Sequence, residues 1–273
     1  MGRYKSAAAQ RREAQSRSAI IKIVVVALAF AGLLILYFQT VAGRRTLDPT
    51  TLCPASPDSV TVLLVDVTDP MNIAQRQDFI NQLERLRNAI PRYGKLAIFK
   101  VSPAADQLLT PVIERCNPGT ANDVSELTGD KEKTAKRWEE QFKAPLDQAF
   151  SQITAASGAP QSPILESIQS AALTELKTQQ SDDKPHKLIV ASDLLQNTPR
   201  MTFYGGRLSA PDATIASDGF RMLRTDLRGI DVELWMLQRP DSASSQPKAL
   251  RDVWEAMIGA MGGNVVRIYN VSG

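Results

Sequence analysis

Soft metal ligands are scarce in this chain of 273 residues, which has one histidine, His186, and two cysteines, Cys53 and Cys116. That set is too small for a zinc or copper centre, which draws its ligands from nitrogen and sulfur. No Gly-rich turn follows the first apolar strand candidate, so the fingerprint of dinucleotide binding is missing. No internal repeat and no second core are visible. Basic charge is missing from most of the chain as well. Residues 1–45 hold eight Lys/Arg and one acid, Glu13, so of 32 basic and 29 acidic residues the remainder keeps 24 and 28. A body with a net charge of about −4 lacks the concentrated basic face that nucleic acid requires, and nucleic acid is excluded as its partner.

What the amino terminus does have is a long apolar run. Residues 20–38, IIKIVVVALAFAGLLILYF, contain a single charge, Lys22, placed where its side chain can reach the headgroups. As a helix the run spans about 28 Å, close to the thickness of a bilayer core. Arg3, Lys5, Arg11, Arg12, Arg17 and Lys22 precede or open it, whereas Arg44 and Arg45 follow. The positive-inside rule therefore places residues 1–19 in the cytoplasm and the body outside the plasma (inner) membrane, in the periplasm or beyond. A cleaved signal ending at residues 40–42 is the competing reading, and it also exports the body. In an oxidising compartment Cys53 and Cys116 are expected to pair, with two buried free thiols as the alternative.

Residues 39–59 read as a Pro- and Ser-bearing tether, and residues 60–273 as one α/β domain. The stretch 60–72, VTVLLVDVTDPMN, begins with an apolar run expected to be a strand buried on both faces of a parallel sheet. A helix over 73–90 and a strand over 95–101 make a strand–helix–strand unit, hence a parallel pair. The few residues after it cannot form a crossover, so 108–115 is expected as an antiparallel edge strand, where Pro111 is tolerable. That strand runs back toward Cys53 and carries Cys116 to it.

A helix over 131–153 follows, with Pro145 as its kink or break. Next comes a helix opened by Pro163 and capped by Ser162. Strands at 187–192, 230–237 and 264–269, helices at 218–228 and 248–261, and an irregular loop at 194–216 complete the expected architecture. It is a mostly parallel, Rossmann-like central sheet with one antiparallel edge strand, helices on both faces and one transmembrane helix in front.

Strands one and four end in Asp66 and Asp193. If the sheet order reverses beside strand one, these ends are neighbours at the switch point, where ligands bind in open α/β sheets. Thr68 and Ser162 add hydroxyls. Two carboxylates and two hydroxyls are hard oxygen ligands, suited to Mg²⁺ or Ca²⁺. The plainer alternative is that Asp66, Thr68 and Asp193 only cap turns, where such residues are favoured whatever the function.

Asp66-Val67-Thr68-Asp69-Pro70, Ser162-Pro163 and Ser192-Asp193, in that order, resemble the three parts of the metal-ion-dependent adhesion site of the von Willebrand factor A family. The resemblance covers nearly all of residues 60–269 and implies a sheet with one antiparallel edge strand and a non-enzymatic partner-binding role. It also implies a divalent ion held by Asp66, Thr68, Ser162 and Asp193, completed by an acidic residue of the partner. Pro70 departs from the pattern, since it replaces a ligand hydroxyl, and Asp69 beside it is a further candidate ligand. The function expected is thus a membrane-anchored domain that binds another envelope protein. Met201, Phe203 and Tyr204 in the loop after strand four are candidate contacts, the alternative being that they pack the loop onto the core.

Two other functions are weighed. A metal-free structural subunit of an envelope complex is one. The other is a Mg²⁺-dependent phosphatase of the haloacid dehalogenase type with Asp66 as nucleophile, which lacks the usual second Asp because Thr68 stands in its place.

Overall fold

The computed structural model describes residues 7–42, 45–66, 68, 70–102, 108–124, 129–154, 159–176, 184–239, 246 and 248–271, with side chains from residue 20 to 38 and from 45 onward. The chain divides into two units, residues 1–46 and 47–273. The first is built on the helix α1 (Ala7–Ala42). Its segment Ile20–Phe38 has a mean hydropathy of 2.7 and none of it is buried, so it is long and apolar enough to cross a membrane once.

The second unit is a six-stranded sheet of order β3-β2-β1-β4-β5-β6. The strands are β1 (Ser59–Val65), β2 (Gly94–Lys100), β3 (Ile113–Cys116), β4 (His186–Ser192), β5 (Ile230–Leu237) and β6 (Asn264–Val271). Every neighbouring pair is parallel except β2 with β3. All seven residues of β1 are buried because both of its neighbours are strands and both of its faces are covered. Val60, Val62 and Leu64 point to one face, where they meet Ile164, Leu165, Ile168, Phe220 and Trp254. Leu63 and Val65 point to the other, against Phe79, Leu83, Phe142, Leu146 and Phe150. The period-two alternation of the strand thus divides one apolar run between two cores. The helices α2 (Ile73–Ala89), α3 (Lys131–Trp138) and α4 (Ala144–Ile153) lie toward the second core. The helices α5 (Ile164–Ala171), α6 (Pro211–Ile215), α7 (Asp218–Leu223) and α8 (Ala249–Ala260) complete the described set.

Differences from the sequence expectation have local causes. Pro145 does not break its helix, because a π-helical turn at Glu139–Lys143 lies just before it and widens the backbone around the Gln141 carbonyl that the proline ring would otherwise strike. The edge strand is shorter than 108–115 and begins beyond Pro111, which has no N–H for the ladder. The loop at 194–216 contains α6, and α7 ends at Leu223 rather than 228.

Residues 47–58, read as tether, are fastened to the domain. Leu52 is buried, Cys116 N–H donates to the Thr51 carbonyl at 2.9 Å, and Cys53 is disulfide-bonded to Cys116. The pairing agrees with the antiparallel return of β3, which brings the two Cα atoms to 4.8 Å.

Candidate functional site

The strand order runs outward from β1 through β2 to β3, then resumes at β4 on the other side of β1. The crevice beyond the carboxyl ends of β1 and β4 is therefore the switch point of the sheet. Asp66 follows β1 directly, its N–H donating to the Ala191 carbonyl of β4 at 2.8 Å. Its carboxylate is 2% exposed, so it must be satisfied from within. Oδ2 accepts the Ser162 hydroxyl at 2.6 Å and the Ser192 hydroxyl at 2.9 Å, and Oδ1 accepts the Thr68 N–H at 3.1 Å. Three separated segments thus meet on one side chain. Thr68 and Ser162 are buried, and Asp69 lies outside the described residues.

Ser162 reaches Asp66 because it is not spent on its own helix. The expectation that it caps α5 is corrected: Pro163 occupies the N-cap position without a side-chain bond, and the Leu165 N–H is met by Gln196 Oε1 at 2.9 Å. Gln196 in turn donates to Glu166 at 2.9 Å, and Glu166 also accepts the Thr198 hydroxyl at 3.0 Å. A buried polar network therefore locks the loop after β4 against α5.

Asp193, also 2% exposed, caps its own turn through Oδ1 and the Leu195 N–H at 3.0 Å. Between them Leu194 adopts a φ of +65°, unfavourable for a bulky side chain. The Ser192 hydroxyl accepts its N–H at 2.9 Å and Trp254 Nε1 donates to its carbonyl at 2.8 Å, which holds the strained residue in place.

Sequence spacing did not single out Arg239. Its Nε lies 3.3 Å from Asp193 Oδ2, and its Nη1 donates to the Pro70 carbonyl at 2.9 Å. The Arg239 N–H donates to Gln246 Oε1 at 2.9 Å, while Gln246 Nε2 donates to the carbonyls of Asp193 and Leu237 at 3.0 Å each. One side chain is only 13% exposed and bridges the turns after β1 and β4. The rule that marked Asp66 and Asp193 would also have marked Arg239, which stands two residues beyond β5, the next parallel strand. Ser192 belongs to the motif but was assigned no role from sequence, and it is the second hydroxyl on Asp66.

Each of the four carboxylate oxygens of Asp66 and Asp193 thus carries a donor, and on Asp193 one donor is a cation. A hard divalent ion takes six or more oxygens at about 2.0–2.6 Å. With Arg239 seated it would share Asp193 with a guanidinium, so the residues as arranged do not fit one unless Arg239 moves. No group of three or more His, Cys, Asp or Glu side chains able to hold a metal is found among the described residues.

Of the candidate contacts, Phe203 is 4% exposed and stacks edge-on against Trp254, with 6.3 Å between ring centroids. Met201 and Tyr204 are partly buried against the same core. Packing the loop onto the core is therefore the reading that describes Phe203.

No family model matches the chain, and no curated protein matches it. Among solved structures it is similar to the human COPII-coat protein Sec24c, at 11% identity and a TM-score of 0.40, over 79% of this chain and 30% of that one. It is also similar to an aerotolerance-related membrane protein from Bacteroides fragilis, at 12% identity and a TM-score of 0.35, over 79% of this chain and 92% of that one. At that level of similarity neither bears on the site.

Proposed function

We propose that this chain is a membrane-anchored, von Willebrand factor A-like interaction domain, held by Ile20–Phe38 with its body outside the plasma membrane, that binds another envelope protein through the carboxyl end of its sheet. The observation that carries this reading is the state of Asp66. Its two oxygens accept three hydrogen bonds from hydroxyls and a backbone N–H, which lowers the nucleophilicity that a phosphatase would need and fixes a rigid surface instead. Rigid, polar-supported turns around an apolar side chain suit recognition, and Ile73, 90% exposed at the start of α2, stands beside them. The capping box of Asn72 and Gln75 fixes that start.

Photocrosslinking in native membranes tests the reading. A photoreactive residue at position 73 should capture one defined membrane or envelope protein, and Asp66→Ala should abolish the capture. The same residue at Met222, exposed in α7 and eight residues before the start of β5, should not capture it. Equal capture from both positions, or capture indifferent to Asp66→Ala, would refute it.

A further inference from the structure

Pro70, the departure from the adhesion-site pattern, is in contact with Arg239, which lies outside that pattern. Where the pattern has a third ligand hydroxyl this chain has Pro70, whose remaining acceptor, the backbone carbonyl, receives Arg239 Nη1 at 2.9 Å. Where the pattern leaves a carboxylate to face an ion, Asp193 Oδ2 faces Arg239 Nε at 3.3 Å. The main chain of Arg239 is held by Gln246, which accepts its backbone N–H and donates to the Asp193 and Leu237 carbonyls, so the residue carrying the guanidinium is fixed to the turn after β4.

We propose that Arg239 is the resident cation of this site, a guanidinium that joins the turns after β1 and β4 in place of a divalent metal, so that the site is assembled and works without metal. A guanidinium suits this task because its donors lie in a fixed planar fork and it carries its charge at every accessible pH. It is also weakly hydrated, so little is lost when it is buried to 13% exposure. A metal ion offers one point charge and demands a nearly complete oxygen shell, and the Pro70 side chain cannot contribute to that shell. The fork needs two acceptors in different directions, and the Asp193 carboxylate and Pro70 carbonyl supply them. Asp66 then needs no cation of its own, because hydroxyls and an N–H surround it. This inference is independent of which partner the domain binds.

The test uses the full chain in detergent micelles, followed by the fluorescence of its tryptophans on heating. Melting should be the same in a chelator and in MgCl₂, CaCl₂ or MnCl₂. A cation present at one hundred times its dissociation constant would raise the midpoint by about 5 °C or more, so binding of useful strength could not be missed. Arg239→Ala should lower the midpoint, and the loss should shrink when Asp193→Asn is added, because no carboxylate is then stranded. A midpoint raised by Mg²⁺, Ca²⁺ or Mn²⁺ in the unaltered chain and insensitive to them in Asp66→Ala would overturn the proposal. So would an Arg239→Ala protein that melts like the unaltered chain, or strictly additive effects of Arg239→Ala and Asp193→Asn. The cation titration does not use Arg239→Ala, so a misfolded Arg239→Ala protein leaves the decision intact. A metal-free result alongside failed crosslinking at position 73 would leave this proposal standing while the interaction reading fell.

Discussion

The two ends of the parallel sheet both bury polar groups, and they do so differently. At the amino end a covalent bond joins Cys53 to Cys116, and Asn117 bridges the Ile90 carbonyl and the Gly119 N–H at 2.7 and 2.9 Å. Lys95 sits between Glu114 and Glu175, 2.7 Å from each, so its charge is matched directly. Burial alone would lower the Lys95 pKa, but the two carboxylates outweigh that and raise it. At the carboxyl end a buried carboxylate, Asp66, is surrounded by hydroxyls from residues 96 and 126 positions away in the chain. A second one, Asp193, is matched by an arginine 46 positions away. The first end closes the fold with strong, self-contained restraints. The second assembles side chains that the sheet itself does not need, and this makes it the end at which function is expected.

The largest effect should come from breaking the amino end. Replacing Cys53 and Cys116 by Ser frees a loop with a sequence separation of 63 residues. That should cost about 4 kcal/mol of stability, read by chemical denaturation, while crosslinking from position 73 persists at temperatures where the protein stays folded. A loss of crosslinking in the folded double variant would show that the two ends are not independent. At the carboxyl end Asp66→Ala strands two hydroxyls and an N–H, with an expected cost of about 2–3 kcal/mol, and Asp66→Asn should recover part of it because its side-chain oxygen still accepts. Loss of crosslinking in both Asp66 variants, despite their different stabilities, would sharpen the contrast between the two ends.

The smallest effect concerns pH. Burial pushes the Glu233 carboxyl up, but hydrogen bonds from Lys187 and Trp235, helped by the Lys187 and Arg267 charges, outweigh it and hold the carboxyl below its ordinary value. A depressed carboxylate contributes stability that is present above its ordinary value of 4.5 and is lost as pH falls through the lower folded value. Glu233→Gln should therefore flatten the acid limb of the stability curve below about pH 4.5, by on the order of 1 kcal/mol or less because Lys187 and Arg267 are solvated. An unchanged acid limb would remove Glu233 from the acid response.

Much of this protein was legible along the chain. The helix over Ile20–Phe38, long and apolar enough to cross a membrane, follows from composition, since the run holds a single charge. Buried β1 and the limits of β5 follow from apolar runs bounded by turn residues, and the antiparallel β3 follows from a connection too short to cross the sheet. The disulfide was compatible with that topology and expected from it, with two free thiols as the alternative. Asp66, Thr68 and Asp193 were found because position after a strand is a one-dimensional property, and Ser162 because position at a helix entry is another. Asp66, Ser162 and Asp193 do stand around one crevice, with Thr68 contributing its N–H.

Tertiary structure alone decided what those residues do. Ser162 looked like a helix cap because local sequence prefers that role, but Gln196 supplies the partner for the helix and leaves the Ser162 hydroxyl to Asp66. Phe203 looked available to a partner until the loop folded it against Trp254. Residues 47–58 looked like a linker because proline and serine are common in linkers, but the disulfide, buried Leu52 and the bonds of Thr51 and Asp58 to Cys116 and Tyr93 draw them into the domain. Above all, Arg239 meets Pro70 across 169 residues. A pattern read along the chain reports backbone preference and burial, which are local. The partner of a buried charge is set by which strand ends the sheet brings together, and that is known only once the sheet has formed.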